Sequence, residues 1–85
     1  MPYINNELRI KYSDWLAAMP VMHLPGEVAY VITRIVKYWL WSEAGAKYTD
    51  YALIIGILES TKLELYRRLI GPYEDTKCEE HGDVY

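Results

Sequence analysis

Apolar and polar positions follow the period of an α-helix in three segments, at residues 6–19, 26–41 and 49–70. In the first two segments the apolar side chains recur every three or four residues, which places them on one helical face. In the first segment they are Leu8, Tyr12, Trp15, Leu16 and Met19. In the second they are Val28, Val31, Ile32, Ile35, Val36, Trp39 and Leu40. The pattern predicts an all-α chain.

The ends of the first two helices carry their own signals. Asn5 or Asn6 is a suitable N-cap for the first helix, and Pro20 stops it. Pro25 and Glu27 mark the start of the second. The second segment is rich in β-branched residues, which also suit a strand, but its 3.6-residue period and its length decide for a helix. Residues 42–47 are predicted to form the following turn.

The third helix is predicted to begin at Thr49 and to end or kink at Gly71–Pro72. Residues 51–58 are apolar nearly all round, and small residues recur every four positions at Ala52, Gly56 and Ser60. A helix that is apolar all round is covered on more than one side, and small side chains allow another backbone to approach closely. We therefore expect a homo-oligomer. The alternative is a monomer in which the first helix covers the second face.

These elements predict a helical hairpin of residues 26–41 and 49–70, with the N-terminal helix lying across it. Residues 1–71 would form a single domain, and residues 72–85 an acidic, mobile C-terminal tail unless it docks on its own or a neighbouring subunit. The tail has five acidic side chains against Lys77 alone. The acidic residues are Glu74, Asp75, Glu79, Glu80 and Asp83.

Composition narrows the class of function. The chain has nine Tyr, three Trp and no Phe, so every aromatic ring has a polar end that suits a half-wet surface. A net charge of −3 disfavours nucleic acid as a partner. One cysteine excludes an internal disulfide and suits a reducing compartment. No apolar run approaches a membrane span and no leader is visible, so we expect a cytoplasmic protein without a membrane partner.

One polar constellation faces away from the apolar stripe of the second helix. Arginine suits bidentate phosphate contacts, and amphipathic rings suit a stacked base. The alternative is an ordinary solvated face with rings covering a helix seam. The residues are Glu27, Tyr30, Thr33, Arg34, Lys37, Tyr38 and Trp41, of which Tyr30, Thr33, Arg34 and Lys37 are predicted to bind ligand.

A second constellation, Tyr66-Arg67-Arg68, lies near the end of the third helix, and Tyr73 follows it. Copies of these arginines from several subunits would converge on one anion, with Tyr66 and Tyr73 stacking on a base or closing the pocket. The alternative is pairing of the arginines with the helix dipole, with Glu64 or with the tail. In that alternative Glu64 and Arg68 form an i,i+4 pair.

Catalytic and metal-binding signals are weak. Cys78 and His81 have suitable chemistry, but zinc needs four convergent ligands, and a nucleophile needs an oxyanion hole and an orienting group. The five glycines are scattered and form no phosphate-binding loop. We expect no catalytic residue, no metal, no cofactor and no enzymatic activity.

Three stretches resemble a family of small, uncharacterised phage and prophage proteins: GEVAYVIT (26–33), IGILESTKLELYRR (55–68) and PYEDTKCEEHGDVY (72–85). The chain departs from the family pattern at Ala29 and His81, where the family often has asparagine. The resemblance implies an accessory protein acting in the cytoplasm of a bacterial host.

Small helical phage proteins that capture nucleotide immune signals offer an analogy of size and architecture. We therefore expect an anti-defence protein that sequesters a cyclic oligonucleotide or cyclic ADP-ribose type signal at an oligomer interface. The alternative is a non-enzymatic protein–protein adaptor or inhibitor that uses the acidic tail or a helix face. Two further hypotheses for the function are a minor virion component and a nucleic-acid regulator.

Overall fold

The computed structural model describes residues 2–42 and 45–85, and within them the chain is helical without strands. The helices are α1 (Asn6–Ala17), α2 (Pro25–Ser42), α3 (Tyr48–Leu65) and α4 (Gly71–His81), and a π-helical turn (Tyr66–Ile70) joins α3 to α4. The predicted all-α class is confirmed. The predicted turn at residues 42–47 includes residues 43 and 44, which lie outside the described residues.

The start of α1 is fixed by Asn5. Its Oδ1 accepts a hydrogen bond from the backbone N–H of Leu8 at 3.0 Å, which satisfies one of the unpaired donors of the first turn. The helix ends at Ala17, two residues before the predicted end at Met19. Met19 precedes Pro20, and a proline ring disfavours helical backbone in the residue before it.

The start of α2 is fixed by Glu27. Its Oε2 accepts hydrogen bonds from the backbone N–H groups of His23 at 2.6 Å and Leu24 at 2.7 Å. This is the carboxylate half of a capping box, in which a side chain in the first turn reaches back over the helix start. Pro25 is the first helical residue, where its missing N–H has no intrahelical partner to lose. Pro25 and Glu27, which the sequence predicted to mark the start of α2, therefore both contribute to it.

Stability should depend on the charge of Glu27. The pKa of this carboxyl lies below its ordinary value of 4.5 because the Leu24 N–H, and secondly the His23 N–H, stabilise the carboxylate. A group with a lowered folded pKa contributes stability above its unfolded pKa, and loses it as pH falls through the folded pKa. We expect Glu27→Gln to melt below wild type at pH 7, and the gap to narrow as pH falls from the ordinary pKa of 4.5 through the lower folded pKa. Thermal unfolding followed by circular dichroism measures this, and a gap that is constant with pH would contradict it.

The π-helical turn lies where Gly71–Pro72 was expected to end or kink the third helix. Proline inside an α-helix removes one hydrogen bond and clashes with the carbonyl four residues earlier. Here the Gly71 N–H donates to the Tyr66 carbonyl, five residues back, so the turn before the proline is wider than an α-turn. The helical path continues into α4 instead of stopping.

The sequence placed no helix after Pro72, and this is wrong, because α4 extends to His81. The mobility of the acidic segment stays a prediction. Pro72 lies in the first turn of α4, where proline is tolerated, and Glu74 complements the helix dipole. Lys77 contacts Glu80 at 3.2 Å and lies 5.5 Å from the centre of the Tyr73 ring, which places all three on one side of α4. Gly82 ends the helix with φ +89°, a conformation that favours glycine, and its N–H donates to the Cys78 carbonyl.

Two units divide the chain, one formed by Tyr3–Ile54 and the other containing Ile55–Tyr85. Within the part of the chain that the structure describes, no side chain of either unit is fully buried. The hairpin, the crossing of the first helix and the domain boundary at residue 71 stay predictions. None of the helices in the described ranges is both long and apolar enough to cross a bilayer.

Candidate functional site

The centre of the candidate site is Arg34, which lies between two tyrosines on the polar side of α2. Its Nη1 donates to the Tyr30 hydroxyl at 3.3 Å and its Nη2 donates to the Tyr38 hydroxyl at 3.4 Å. The guanidinium carbon lies 6.0 Å from the Tyr30 ring centre and 5.3 Å from that of Tyr38. These three residues are spaced by four, so one helix face holds the cation between two rings. We call Tyr30, Arg34 and Tyr38 the Tyr–Arg–Tyr row.

The electrostatics of the row keep the arginine charged and its surroundings rich in donors. The hydrogen bond to the Tyr38 hydroxyl, followed by the charge interaction with Tyr30, raises the pKa of Arg34 above its ordinary value. A guanidinium only donates, so both hydroxyl oxygens act as acceptors and their own O–H groups remain available to an external acceptor. The Nε of Arg34 is buried and has no hydrogen-bond partner in the described part of the chain.

A second cation and ring extend the row towards the end of α2. Lys37 Nζ lies 4.6 Å from the Trp41 ring centre, within the range of a cation–π contact. Thr33, which the sequence placed among the ligand-binding residues, donates its hydroxyl proton to the Ala29 carbonyl at 2.8 Å. That bond uses the hydroxyl proton within the helix and leaves the Thr33 oxygen as a hydrogen-bond acceptor. An anion needs a donor, not an acceptor.

The residues around the π-helical turn form a separate group in the other unit. Arg67 binds Glu64 through Nη2 at 2.6 Å and Nε at 3.2 Å, so its fork already holds a carboxylate. The expected pair of Glu64 with Arg68 is not the one that forms. Arg67 at i,i+3 and Arg68 at i,i+4 both lie within one turn of Glu64, and the fork of Arg67 is the one that reaches its carboxylate.

The two tyrosines predicted for this group lie at exposed positions. Tyr66 and Tyr73 are each more than half exposed, and Tyr73 contacts Lys77. The structure thus brings Tyr30, Arg34 and Lys37 onto one face of α2. It places Tyr66, Arg67, Arg68 and Tyr73 in the other unit.

Sequence reasoning missed an apolar groove beside Tyr30. It has a volume of about 570 Å³ and is formed by the loop before α2 and the first turns of that helix. Loop residues have no helical period, so the apolar pattern gave no signal for it. The only available signal was the run of apolar residues between two prolines. Its lining includes Pro20, Val21, Met22, Leu24, Tyr30 and Val31.

A second groove, of about 450 Å³, lies at the end of α4 and includes Cys78 and His81. Across residues 2–42 and 45–85, no three His, Cys, Asp or Glu side chains come together in a way that would hold a metal ion. The imidazole of His81 lies 3.7 Å from Glu80, and the Cys78 thiol is exposed. This groove therefore offers scattered polar groups, in contrast to the ordered Tyr–Arg–Tyr row.

The fold and the site define a small all-α protein with an aromatic, cationic face on its second helix. The chain belongs to the family described as a domain of unknown function (DUF6899), whose sequence profile matches residues 1–84. No curated protein matches the chain, and no solved structure matches it. Membership in a family of uncharacterised proteins, as the resemblance implied, is confirmed, and phage origin stays a prediction.

Proposed function

We propose that this protein binds and sequesters a small, anionic, nucleotide-derived ligand at the interface of a homo-oligomer, without transforming it. In the setting implied by the resemblance, the ligand is a cyclic oligonucleotide or cyclic ADP-ribose type immune signal of a bacterial cell. One observation carries the proposal: each terminal nitrogen of Arg34 donates a hydrogen bond to a tyrosine hydroxyl.

The row suits a phosphate because its groups are already in place. Two hydrogen bonds restrict the Arg34 side chain, so less conformational freedom is lost when a ligand binds. Its charge attracts the phosphate, while the free O–H groups of Tyr30 and Tyr38 donate to the phosphate oxygens.

The rings and the groove suit the base portion of the ligand. Tyr30, Tyr38 and Trp41 are each between 62% and 66% exposed, which leaves ring surface open for stacking. The rise from Tyr30 to Trp41 is about 16 Å along the helix axis. That span suits a ligand with more than one phosphate or base. The apolar groove beside Tyr30 adds a surface that excludes water from a bound base.

Isothermal titration calorimetry tests the proposal with cyclic dinucleotides, cyclic trinucleotides, cyclic ADP-ribose and linear ADP-ribose. Pyrophosphate and an uncharged nucleoside serve as matched controls that carry only one half of the ligand. We expect at least one nucleotide to bind tenfold or more tightly than either control. The bound ligand, released by heating and identified by mass spectrometry, should be unchanged.

Two results would contradict the proposal. The first is a folded protein that binds none of the nucleotides, and the second is conversion of the ligand during incubation, which indicates an enzyme. The adaptor role through the acidic segment or a helix face stays the alternative prediction from the sequence. Removal of residues 72–85 distinguishes it, because an adaptor that uses this segment loses its protein partner and stays folded.

A further inference from the structure

We propose that Glu27 recognises an amino group on a purine base of the ligand, an inference that rests on the proposed function and names the class of base. Glu27 lines the apolar groove together with Tyr30. Tyr30 also belongs to the Tyr–Arg–Tyr row, so the groove and the row meet at this ring. A ligand that occupies both therefore lies with one part beside Glu27 and another beside Arg34.

Glu27 and Arg34 give one face of α2 an anionic and a cationic end. They are seven residues apart, which is about two helical turns and a rise of about 10 Å, and Tyr30 lies between them on the same face. They do not neutralise each other, because Glu27 binds backbone N–H groups and Arg34 binds tyrosine hydroxyls. A nucleotide has the complementary polarity, with an anionic phosphate at one end and N–H donors on the base at the other.

The carboxylate of Glu27 has one oxygen available to a ligand. The N–H groups of His23 and Leu24 both donate to Oε2, and no residue within 2–42 and 45–85 donates to Oε1. The Leu24 bond, and secondly the His23 bond, hold the pKa of Glu27 below its ordinary value, so the group is charged at neutral pH and can only accept. The group that meets Oε1 must therefore be a donor.

A purine with an exocyclic amine fits both the groove and this acceptor. Among the described residues, Glu27 is the only charged side chain in the lining of the groove, and the apolar remainder suits a flat ring. A two-ring purine covers more of that surface than a one-ring pyrimidine does. An amine donates to Oε1, whereas a carbonyl at the same place sets one acceptor against another and leaves both without a donor.

Calorimetry with matched nucleotides tests the inference. The probes are cyclic di-AMP, cyclic di-GMP and cyclic di-IMP, together with linear ADP-ribose and its hypoxanthine counterpart. Hypoxanthine lacks the amino group of adenine and that of guanine, and the rest of each ligand is unchanged. We expect wild type to bind an amino-bearing nucleotide about tenfold or more tightly than its hypoxanthine counterpart, which is the effect of one hydrogen bond to a charged group. The adenine and guanine forms show which of the two amines is recognised.

Glu27→Gln separates recognition of the base from capping of α2. The amide oxygen can accept the two backbone N–H bonds, which leaves an NH₂ group in place of Oε1. A donor then faces the amine, so the preference should fall below threefold or reverse in favour of hypoxanthine. A purely structural effect would weaken every nucleotide by the same factor. Glu7→Gln makes the same change in the first turn of α1 and should keep the wild-type preference. All titrations are made at a temperature where circular dichroism shows the three proteins folded.

Equal affinity of wild type for the amino-bearing and hypoxanthine forms overturns the inference, and so does a Glu27→Gln variant that keeps the wild-type preference. The first comparison needs no variant, so it decides the question if Glu27→Gln is recovered unfolded. Failure of the inference and failure of the proposed function are distinguishable. Binding of nucleotides without a preference refutes the role of Glu27 alone, whereas a folded protein that binds none of them refutes the nucleotide function.

Discussion

Arg34→Ala should weaken binding of the nucleotide found by calorimetry by about 10- to 150-fold. A hydrogen bond to a charged group contributes about 1.5–3 kcal/mol, which corresponds to this range of affinity. Alanine removes the charge and also releases the hydroxyls of Tyr30 and Tyr38 from the positions that the guanidinium gives them. Arg34→Lys keeps the charge without the two-pronged donor, so its loss should lie between wild type and alanine. Titration of the same ligand against each variant measures the effect.

Arg68→Ala is the matched control, because it removes the same charge from the π-helical turn. We expect its affinity to stay within threefold of wild type, and circular dichroism should show an unchanged helix content for all variants. Two results would count against the assignment of the site to α2: equal losses for Arg34→Ala and Arg68→Ala, or undiminished binding by Arg34→Ala.

The midpoint of thermal unfolding should rise with protein concentration, by about 3–6 °C for each tenfold increase. Mass action stabilises a dimer by about 1.4 kcal/mol per tenfold concentration, and a pair of 85-residue chains shifts by about 2–4 °C per kcal/mol. The prediction rests on the proposed homo-oligomer, in which folding and association would be one transition. Circular dichroism at 222 nm over a hundredfold range of concentration measures it.

Gly26→Leu is a control in this experiment, because Gly26 is helical and a Cβ added there would meet nothing within 4 Å, and its midpoint should rise with the same slope as wild type. In contrast, Gly56→Leu should melt below wild type at every concentration, because the sequence predicts a close approach of another helix at Ala52, Gly56 and Ser60. A wild-type midpoint that does not change over the hundredfold range would show that a single chain folds by itself. The apolar surface of α3 would then need an intramolecular cover.

Local signals accounted for the helices that the sequence placed well. Asn5, Pro25 and Glu27 act within one turn of their own positions, so their roles are readable without knowledge of the rest of the chain. The Tyr–Arg–Tyr row was accessible for the same reason, since contacts between residues four apart follow from the helix itself. Tyr38 and Trp41 belong to this face by their spacing, although they were left out of the predicted ligand-binding residues.

The error at α4 came from treating Gly71–Pro72 as a stop. The acidic start at Glu74, the possible Lys77–Glu80 pair and Gly82 after His81 were all readable as the marks of a helix. What the sequence did not show is that the Tyr66–Ile70 turn widens to admit the proline. A π-helical turn has no composition of its own, so the apolar pattern did not indicate it, and spacing alone did not decide between Arg67 and Arg68 as the partner of Glu64.

The all-α class, the starts of α1 and α2, and the face of α2 where cations lie among amphipathic rings follow from the sequence alone. These features depend on period and capping, which are properties of neighbouring residues. The three-dimensional structure was needed to show that the acidic segment is helical, that Arg67 is held by Glu64, and that no side chain within the described residues is buried. Burial depends on which surfaces meet. A pattern of apolar positions indicates that a helix face needs a partner, but it does not indicate which surface that partner is.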